Sequence, residues 1–289
     1  RADWQAAAQA VKADLRPGDG VTVLPEWAGE ARLALHGLPA FLTPEPAQAD
    51  WAAYDRVWVL GGWGHGVADV GGEHKVLEQK AFGAATLELV QVGGEKVLGD
   101  LRAELDRARV ERQHGQGRIE RCDFWDGRGW HCRLRKSPDA TRACLAQDTR
   151  ARHAQRKRDP HCGLDPWLNV SRDFRVIGDQ PRDCVWLHPI QGGEVRVAWP
   201  APAGEVVLRY GFTDQVIDAH DRADTRTRPA TLTLKRGEAV LGTHTVEPQR
   251  GWHEWRVASP QAGDLVLSAS TPSQIDAHLC VALSVRGPR

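Results

Sequence analysis

The stretch VWVLGGWGHGVADVGG, residues 57–72, decides how the first third of the chain is read. Val57, Trp58, Val59 and Leu60 form a short apolar run that stops at Gly61 and Gly62. A continuous apolar run bounded by glycine reads as a strand buried on both faces, the pattern of a parallel sheet. The glycines suggest a phosphate-binding turn, but the sequence does not complete one. Gly62-Trp63-Gly64 is followed by His65-Gly66-Val67, so the third glycine of G-x-G-x-x-G is missing. No lysine follows before Lys75, which excludes a P-loop. Bulky Trp63 and His65 would also obstruct close approach of backbone to phosphate. The stretch therefore reads as a loop at a strand end. Strand carboxyl ends in open α/β sheets face the ligand crevice, and Trp63 and His65 stand as candidates for touching a ligand.

Around this strand, residues 1–112 alternate helix and strand signals. Trp4, Ala8, Val11 and Leu15 fall at helical spacing, and Arg16-Pro17-Gly18-Asp19 ends that helix. Residues 21–24 predict a buried strand, 27–38 a second helix and 40–43 a second strand before Pro44 and Pro46. Residues 76–82 read as helical and 85–92 as a strand. Val97, Leu98, Leu101, Leu105 and Ala108 mark a last helix with a charged opposite face. This alternation predicts a small three-layer α/β domain with a mostly parallel sheet over residues 1–112.

The remainder has a different texture. Residues 113–183 are basic, rich in Cys and Gly, and poor in periodicity. Their clearest element is CDFWDGRGWHC, residues 122–132, in which Asp126-Gly127-Arg128 is a good hairpin turn. Residues 184–289 contain strand patterns near 184–188, 194–199, 205–210, 230–235, 239–245, 253–257, 264–269 and 278–285, and no helix-length periodicity. Short strands between Gly/Pro turns predict a disulfide-stabilised β-sandwich, jelly-roll-like in character. The expected organisation is an α/β domain (1–112), a Cys-rich basic connecting segment packed with the sandwich (113–183) and the sandwich itself (184–289).

Of 289 residues, 38 are Lys or Arg and 38 are Asp or Glu, so the whole chain has no charge bias toward nucleic acid or an anionic membrane. The charge is uneven: from Arg112 to Arg158 there are 13 basic and 5 acidic residues. The run TRARHAQRKRDPH, residues 149–161, has no interleaved aromatic, which argues against stacking on single-stranded nucleic acid. Beside a membrane, its partner would be anionic lipid head groups. No apolar run approaches the roughly 18–20 residues that span a bilayer. The sequence contains no Met, which reads as a fragment or processed form.

Six cysteines, Cys122, Cys132, Cys144, Cys162, Cys184 and Cys280, are all absent from the first 121 residues. Their spacings lack the C-x₂₋₄-C pairs of zinc sites and suit disulfides in an oxidising compartment. Fifteen connectivities are possible; the favoured set pairs Cys122 with Cys132 across the hairpin, Cys144 with Cys162 to close the basic loop, and Cys184 with Cys280 to join the first and last sandwich strands. FTDQVIDAHDRAD supplies Asp214, Asp218, Asp221 and Asp224, oxygen ligands that could hold a structural calcium, although the spacing matches no EF-hand. Asn169-Val170-Ser171 is formally a glycosylation sequon. Twelve tryptophans are many for this length, and aromatic faces are common in sugar sites. Trp252 and Trp255, three apart, point to opposite faces of a strand, one to core and one to solvent. No nucleophile motif is present.

DWQAAAQAVKADLRPGDGVTVLPEW (3–27), YDRVWVL (54–60) and KAFGAATLELVQV (80–92) resemble the extracytoplasmic soluble region that follows the membrane helices of bacterial glycosyltransferases of the GT-C class, relatives of protein mannosyltransferases. LRYGFTD (208–214), GWHEWRV (251–257) and HLCVALSVRG (278–287) are similar to a sandwich appended to some of these enzymes. The resemblance implies an extracytoplasmic location, an upstream transmembrane domain as partner, and a role in recognising glycan or acceptor. That family's catalytic carboxylates lie between its membrane helices, so no catalytic residue is carried over and no cofactor is expected. The alternatives are a secreted carbohydrate-binding module, or a secreted hydrolase using the crevice near Trp63 and His65.

Overall fold

The computed structural model describes residues 2–25, 27–38, 50–69, 73–148, 162–165, 169–221, 227–273 and 277–289. Two compact units divide the chain: 1–97 with 286–289, and 98–285.

The first unit opens with α1 (Trp4–Asp14), whose N-terminus is capped by the Asp3 carboxylate accepting from the Ala6 amide at 2.9 Å. β1 (Asp19–Leu24), α2 (Gly29–Leu35) and β2 (Arg56–Gly62) follow, then β3 (His74–Phe82) and β4 (Ala85–Val92). The sheet order is β1-β2-β4-β3. β1 and β2 are parallel, while β2–β4 and β3–β4 are antiparallel. The expected mostly parallel sheet is therefore corrected to a mixed one.

The expected third layer is also absent among the described residues. Trp4, Ala7 and Val11 of α1 and Ala31 and Leu35 of α2 share one core with Val21, Val23, Trp58, Leu60 and Leu87. The opposite face, Val57, Val59, Val90 and Val92, is covered by Val67, Trp51 and Tyr54 from short turns instead of helices. Residues 76–82, read as helical, form β3, bulged between Val76 and Glu78. The expected strand at 40–43 lies outside the described residues.

Residues 97–108 do not make the expected helix. β5 (Glu95–Asp100) ends where Asp100 Oδ1 accepts the amides of Arg102 at 2.7 Å and Ala103 at 3.4 Å, and a short 3-10 turn follows at Leu105–Arg107. An aspartate turn beside Gly99 interrupts the apolar spacing that mimicked a helix. The first unit's main segment ends at residue 97. The last four residues return to the first unit through Arg286, buried and paired with Asp50 at 2.6 Å and with Glu95, and through Arg289, which donates to Asp55 at 2.9 Å.

The second unit is a β-sandwich. In chain order it contains β6 (Arg109–His114), β7 (Ile119–Cys122), β8 (Phe124–Trp125), β9 (Gly129–His131), α3 (Pro138–Asp148), β10 (Asn169–Ile177), β11 (Gln180–Leu187) and β12 (Ile190–Gln191). Then come β13 (Gly193–Ala201), β14 (Gly204–Phe212), α4 (Asp214–Asp221), β15 (Ala230–Arg236), β16 (Ala239–Val246), β17 (His253–Ser259), β18 (Gly263–Thr271) and β19 (Leu279–Pro288). One sheet runs β17-β14-β19-β11-β10-β9-β8, the other β16-β15-β18-β13-β6-β7. Between them lies a single core including Val185, Val197, Trp199, Leu208, Phe212, Leu232, Leu267 and Val281.

Residues in 113–183 supply strands to both sheets, through β7 beside β6 and through β8–β10 beside β11. The eight strand patterns after residue 184 all appear; the helix α4 between β14 and β15 was not foreseen. Disulfides join Cys122 to Cys132, Cys144 to Cys162 and Cys184 to Cys280. Cys122 ends β7 in one sheet and Phe124 begins β8 in the other, so the first disulfide sits where the chain changes sheets.

Candidate functional site

The carboxyl ends of β1 and β2 lie side by side because the two strands are parallel neighbours. Each is followed by an exposed indole. Trp27 is 68% exposed and Trp63 is 58% exposed. Their ring centroids are 5.2 Å apart, tilted by 38°. Buried Trp4 of α1 backs the pair, 5.5 Å from Trp63. Two glycines make this possible. A Cβ on Gly62 would stand 2.5 Å from the Trp4 ring, and one on Gly61 would stand 2.3 Å from the His65 carbonyl oxygen.

Trp63 itself has φ of 54°, a left-handed conformation that bulky residues rarely adopt. Such strain collects at functional sites. The turn closes through the His65 amide donating to the Gly62 carbonyl at 2.9 Å. It is anchored below by buried Glu88, which accepts from the Val67 amide at 2.8 Å and from Gln79 at 3.2 Å. Glu88 is thus committed to holding the turn. The structure brings Trp63 to a surface aromatic pair and leaves His65 exposed beside it. Trp27 went unrecognised as a site residue because the sequence reads it as the first residue of a helix, whereas α2 begins at Gly29.

Two of the four aspartates proposed for calcium, Asp214 and Asp218, have partners within the protein. Asp214 accepts from the Gly178 and Asp179 amides, both at 2.7 Å, and so caps the β10–β11 turn. Arg250 reaches Asp179 at 3.4 Å, Asp214 at 3.6 Å and also Asp218. These carboxylates are neutralised by a guanidinium and by backbone donors. Among the described residues no group of three or more His, Cys, Asp or Glu could hold a metal ion. Asp221 closes α4, while Asp224 and the whole basic run 149–161 lie outside the described residues.

Trp252 and Trp255 do take opposite faces, and both are half-buried, so neither is the solvent-facing platform expected. Trp255 packs against the sandwich core and stacks on His244 at 5.7 Å; His244 in turn bonds the Tyr210 hydroxyl at 2.5 Å. Burial holds the Tyr210 phenol above its ordinary pKa, hence neutral. Trp252 lies on the outer side of the same sheet, against Ile177 and the Cys184–Cys280 disulfide.

Further polar groups serve the scaffold. Asp126 accepts from the Arg128 and Gly129 amides, both at 2.8 Å, and from buried His131 at 2.9 Å. Burial pushes the Asp126 carboxyl up, but His131 and the two amides outweigh it and hold the group below its ordinary pKa. The sequon residue Asn169 stands in β10 directly opposite His131, with its side-chain oxygen buried, a position unsuited to carrying a glycan.

No family model matches the sequence, and no curated protein matches it. Several solved structures are weakly similar. One is a CBM51 module of a Clostridium perfringens GH95 protein in complex with methyl-galactose: 9% identity, TM-score 0.29, covering 40% of this chain and 73% of that one. Another contains the tandem CBM51 modules of a family 98 glycoside hydrolase from Streptococcus pneumoniae: 8% identity, TM-score 0.32, covering 71% of this chain and 56% of that one. A third is a CBM36 module in complex with calcium and xylotriose: 11% identity, TM-score 0.23, covering 41% of this chain and 90% of that one. At these TM-scores the likeness carries no argument about what this chain binds. None of these matches connects it with a membrane glycosyltransferase.

Proposed function

We propose that this is an extracytoplasmic carbohydrate-binding protein whose first unit receives sugar on the Trp27–Trp63 pair. The observation that carries the reading is the exposure of two adjacent indoles, 68% and 58%, on a backbone strained to hold one of them outward. Leaving so much aromatic surface in water marks an interaction site. A flat ring suits the apolar C–H face of a pyranose, while the ring edge and nearby polar groups such as His65 orient its hydroxyls. Three disulfides favour an oxidising location.

The test is a titration of soluble glycans, neutral and acidic, against intrinsic tryptophan fluorescence. At least one should shift the emission saturably, and Trp63→Ala and Trp27→Ala should each weaken that response at least about tenfold, as loss of an aromatic anchor does. A flat response across the panel, or unchanged binding in both variants, contradicts the proposal.

A further inference from the structure

Behind the exposed tryptophan pair sits a hydrogen-bond donor that the fold leaves unused. Trp4 opens α1, fixed by the Asp3 cap and by the Asp3 amide donating to the Phe82 carbonyl at 3.0 Å. Its side chain is buried, and its Nε1 has no hydrogen-bond partner among the described residues. Other indoles are provided for. Trp58 donates to Asp19 at 3.2 Å, Trp199 to Glu104 at 2.9 Å and Trp130 to the Leu105 carbonyl at 2.8 Å. Two buried indole nitrogens, those of Trp4 and Trp186, lack an acceptor among the described residues, and Trp4 is the one that adjoins the exposed pair. A buried donor without an acceptor is costly, and native structures keep few of them.

The ring that adjoins this donor is Trp63, with centroids 5.5 Å apart and planes tilted by 39°. A Cβ on Gly62 would meet Cη2 of Trp4 at 2.5 Å, Cζ2 at 3.0 Å and Cζ3 at 3.6 Å. Cζ2 is two bonds from Nε1, so the N–H side of the ring leans toward the turn that carries Trp63. That turn has φ of 54° at Trp63 and 86° at Gly64, closed by the His65 amide on the Gly62 carbonyl. Positive φ at both central residues is the pattern of a type I′ turn, which Gly, Asn and Asp dominate. Turn chemistry alone therefore disfavours tryptophan at position 63, and core packing does not require it, since the side chain is largely in solvent.

We propose that Trp63 is a movable lid over Trp4. A sugar lifts the Trp63 ring, stacks its apolar face against that ring, and accepts a hydrogen bond from the Trp4 Nε1–H through one of its oxygens. The inference rests on the Trp27–Trp63 pair being a sugar platform, and it adds the group that selects among sugars. Two unfavourable features of the free protein are removed together. Trp63 leaves its left-handed backbone, and the buried donor gains an acceptor. The ligand class is a pyranoside with a hydroxyl or acetamido oxygen beside its apolar C–H face. A site built to bond such an oxygen discriminates against an analogue without it, because the donor is then left unpaired.

The experiment follows the indole N–H signals of the isotope-labelled intact chain by NMR, with Trp4→Phe, Trp27→Phe and Trp63→Ala identifying three of the twelve tryptophans. Without sugar, the Trp4 N–H should be protected from exchange with water, and Trp63→Ala should speed its exchange at least about tenfold. The probes are the methyl glycosides of glucose, galactose, mannose, xylose and N-acetylglucosamine. The one that binds should move the Trp4 signal saturably, together with that of Trp63. Trp4→Phe keeps a ring but no N–H and should weaken that sugar about three- to tenfold, the worth of one hydrogen bond. If this variant does not fold, the Trp4 signal of the parent decides. A sugar that moves the Trp27 and Trp63 signals but not that of Trp4 overturns the lid and leaves the platform standing. Sugars that move none of the three overturn both. A Trp4 N–H that exchanges freely in the parent, or equally slowly in Trp63→Ala, also overturns the lid.

Discussion

In the first unit, Trp27 and Trp63 keep most of their surface in water and lean on each other; in the sandwich, Trp186 and Trp252 carry arginines over their rings. The same residue type is put to two uses. A bare indole offers an apolar plane, whereas an indole under a guanidinium is covered by it. The supporting scaffolds differ as well. The first unit contains no cysteine and packs its helices on one face of a four-stranded sheet. The sandwich unit holds all three disulfides.

That contrast breaks most sharply under reduction. Cys184→Ala/Cys280→Ala opens a link between residues 96 apart in sequence and should cost the sandwich about 4 kcal/mol, the order expected for closing so long a loop. Urea unfolding followed by hydrogen exchange should show sandwich amides losing protection while those of β1, β2 and β4 keep theirs. The converse perturbation is Arg286→Ala. It removes the buried guanidinium that Asp50 and Glu95 share; both carboxylates are about a third exposed and stay hydrated, so the first unit should be destabilised by about 1–2 kcal/mol. Amides of the first unit should then exchange faster than those of the sandwich.

Acid should separate the units more gently. Asp19 in the first unit is buried, which alone would raise its pKa, but bonds from Arg56, the Arg16 amide and Trp58 pull it below the ordinary value. In the sandwich, Glu120, Asp126 and Glu254 are likewise lowered against their desolvation, by His114 and Arg133, by His131, and by Arg209 and Arg256 respectively. A carboxylate depressed in the folded state stabilises fully above its unfolded pKa, near 4, and that contribution drains away as pH falls through the lower folded value. With three such groups against one, the sandwich should lose more stability than the first unit between about pH 4 and pH 2. Melting curves that shift equally for both units would contradict this. The smallest expected change in stability is that of Trp63→Ala, within about 0.5–1 kcal/mol for an exposed side chain, even though glycan binding should fall at least about tenfold.

The sequence shows the sandwich far better than the first unit. Short alternating strands between Gly and Pro turns have few other readings, and the hairpin at Asp126 makes the Cys122–Cys132 pairing legible. Val76, Leu77 and Phe82 could not be told from a helix because the signal that makes them a strand is pairing with β4, a contact remote in sequence. Residues 97–108 misled for the opposite reason: their apolar spacing was helical, and the local turn chemistry of Asp100 prevailed. Of the candidate site, Trp63 could be found from its place after a strand, whereas its pairing with Trp27 required knowing that β1 and β2 are parallel neighbours. Trp4 is legible as a core position of α1, but its unpaired N–H beside Trp63 is visible only in the packed structure.

The most direct test of the whole account is a glycan array probed with the intact chain and with Trp27→Ala/Trp63→Ala. The parent should bind a defined set of glycans, and the tryptophan variant should lose them. A parent that binds no glycan on the array, or a variant that reproduces the parental pattern, would contradict it.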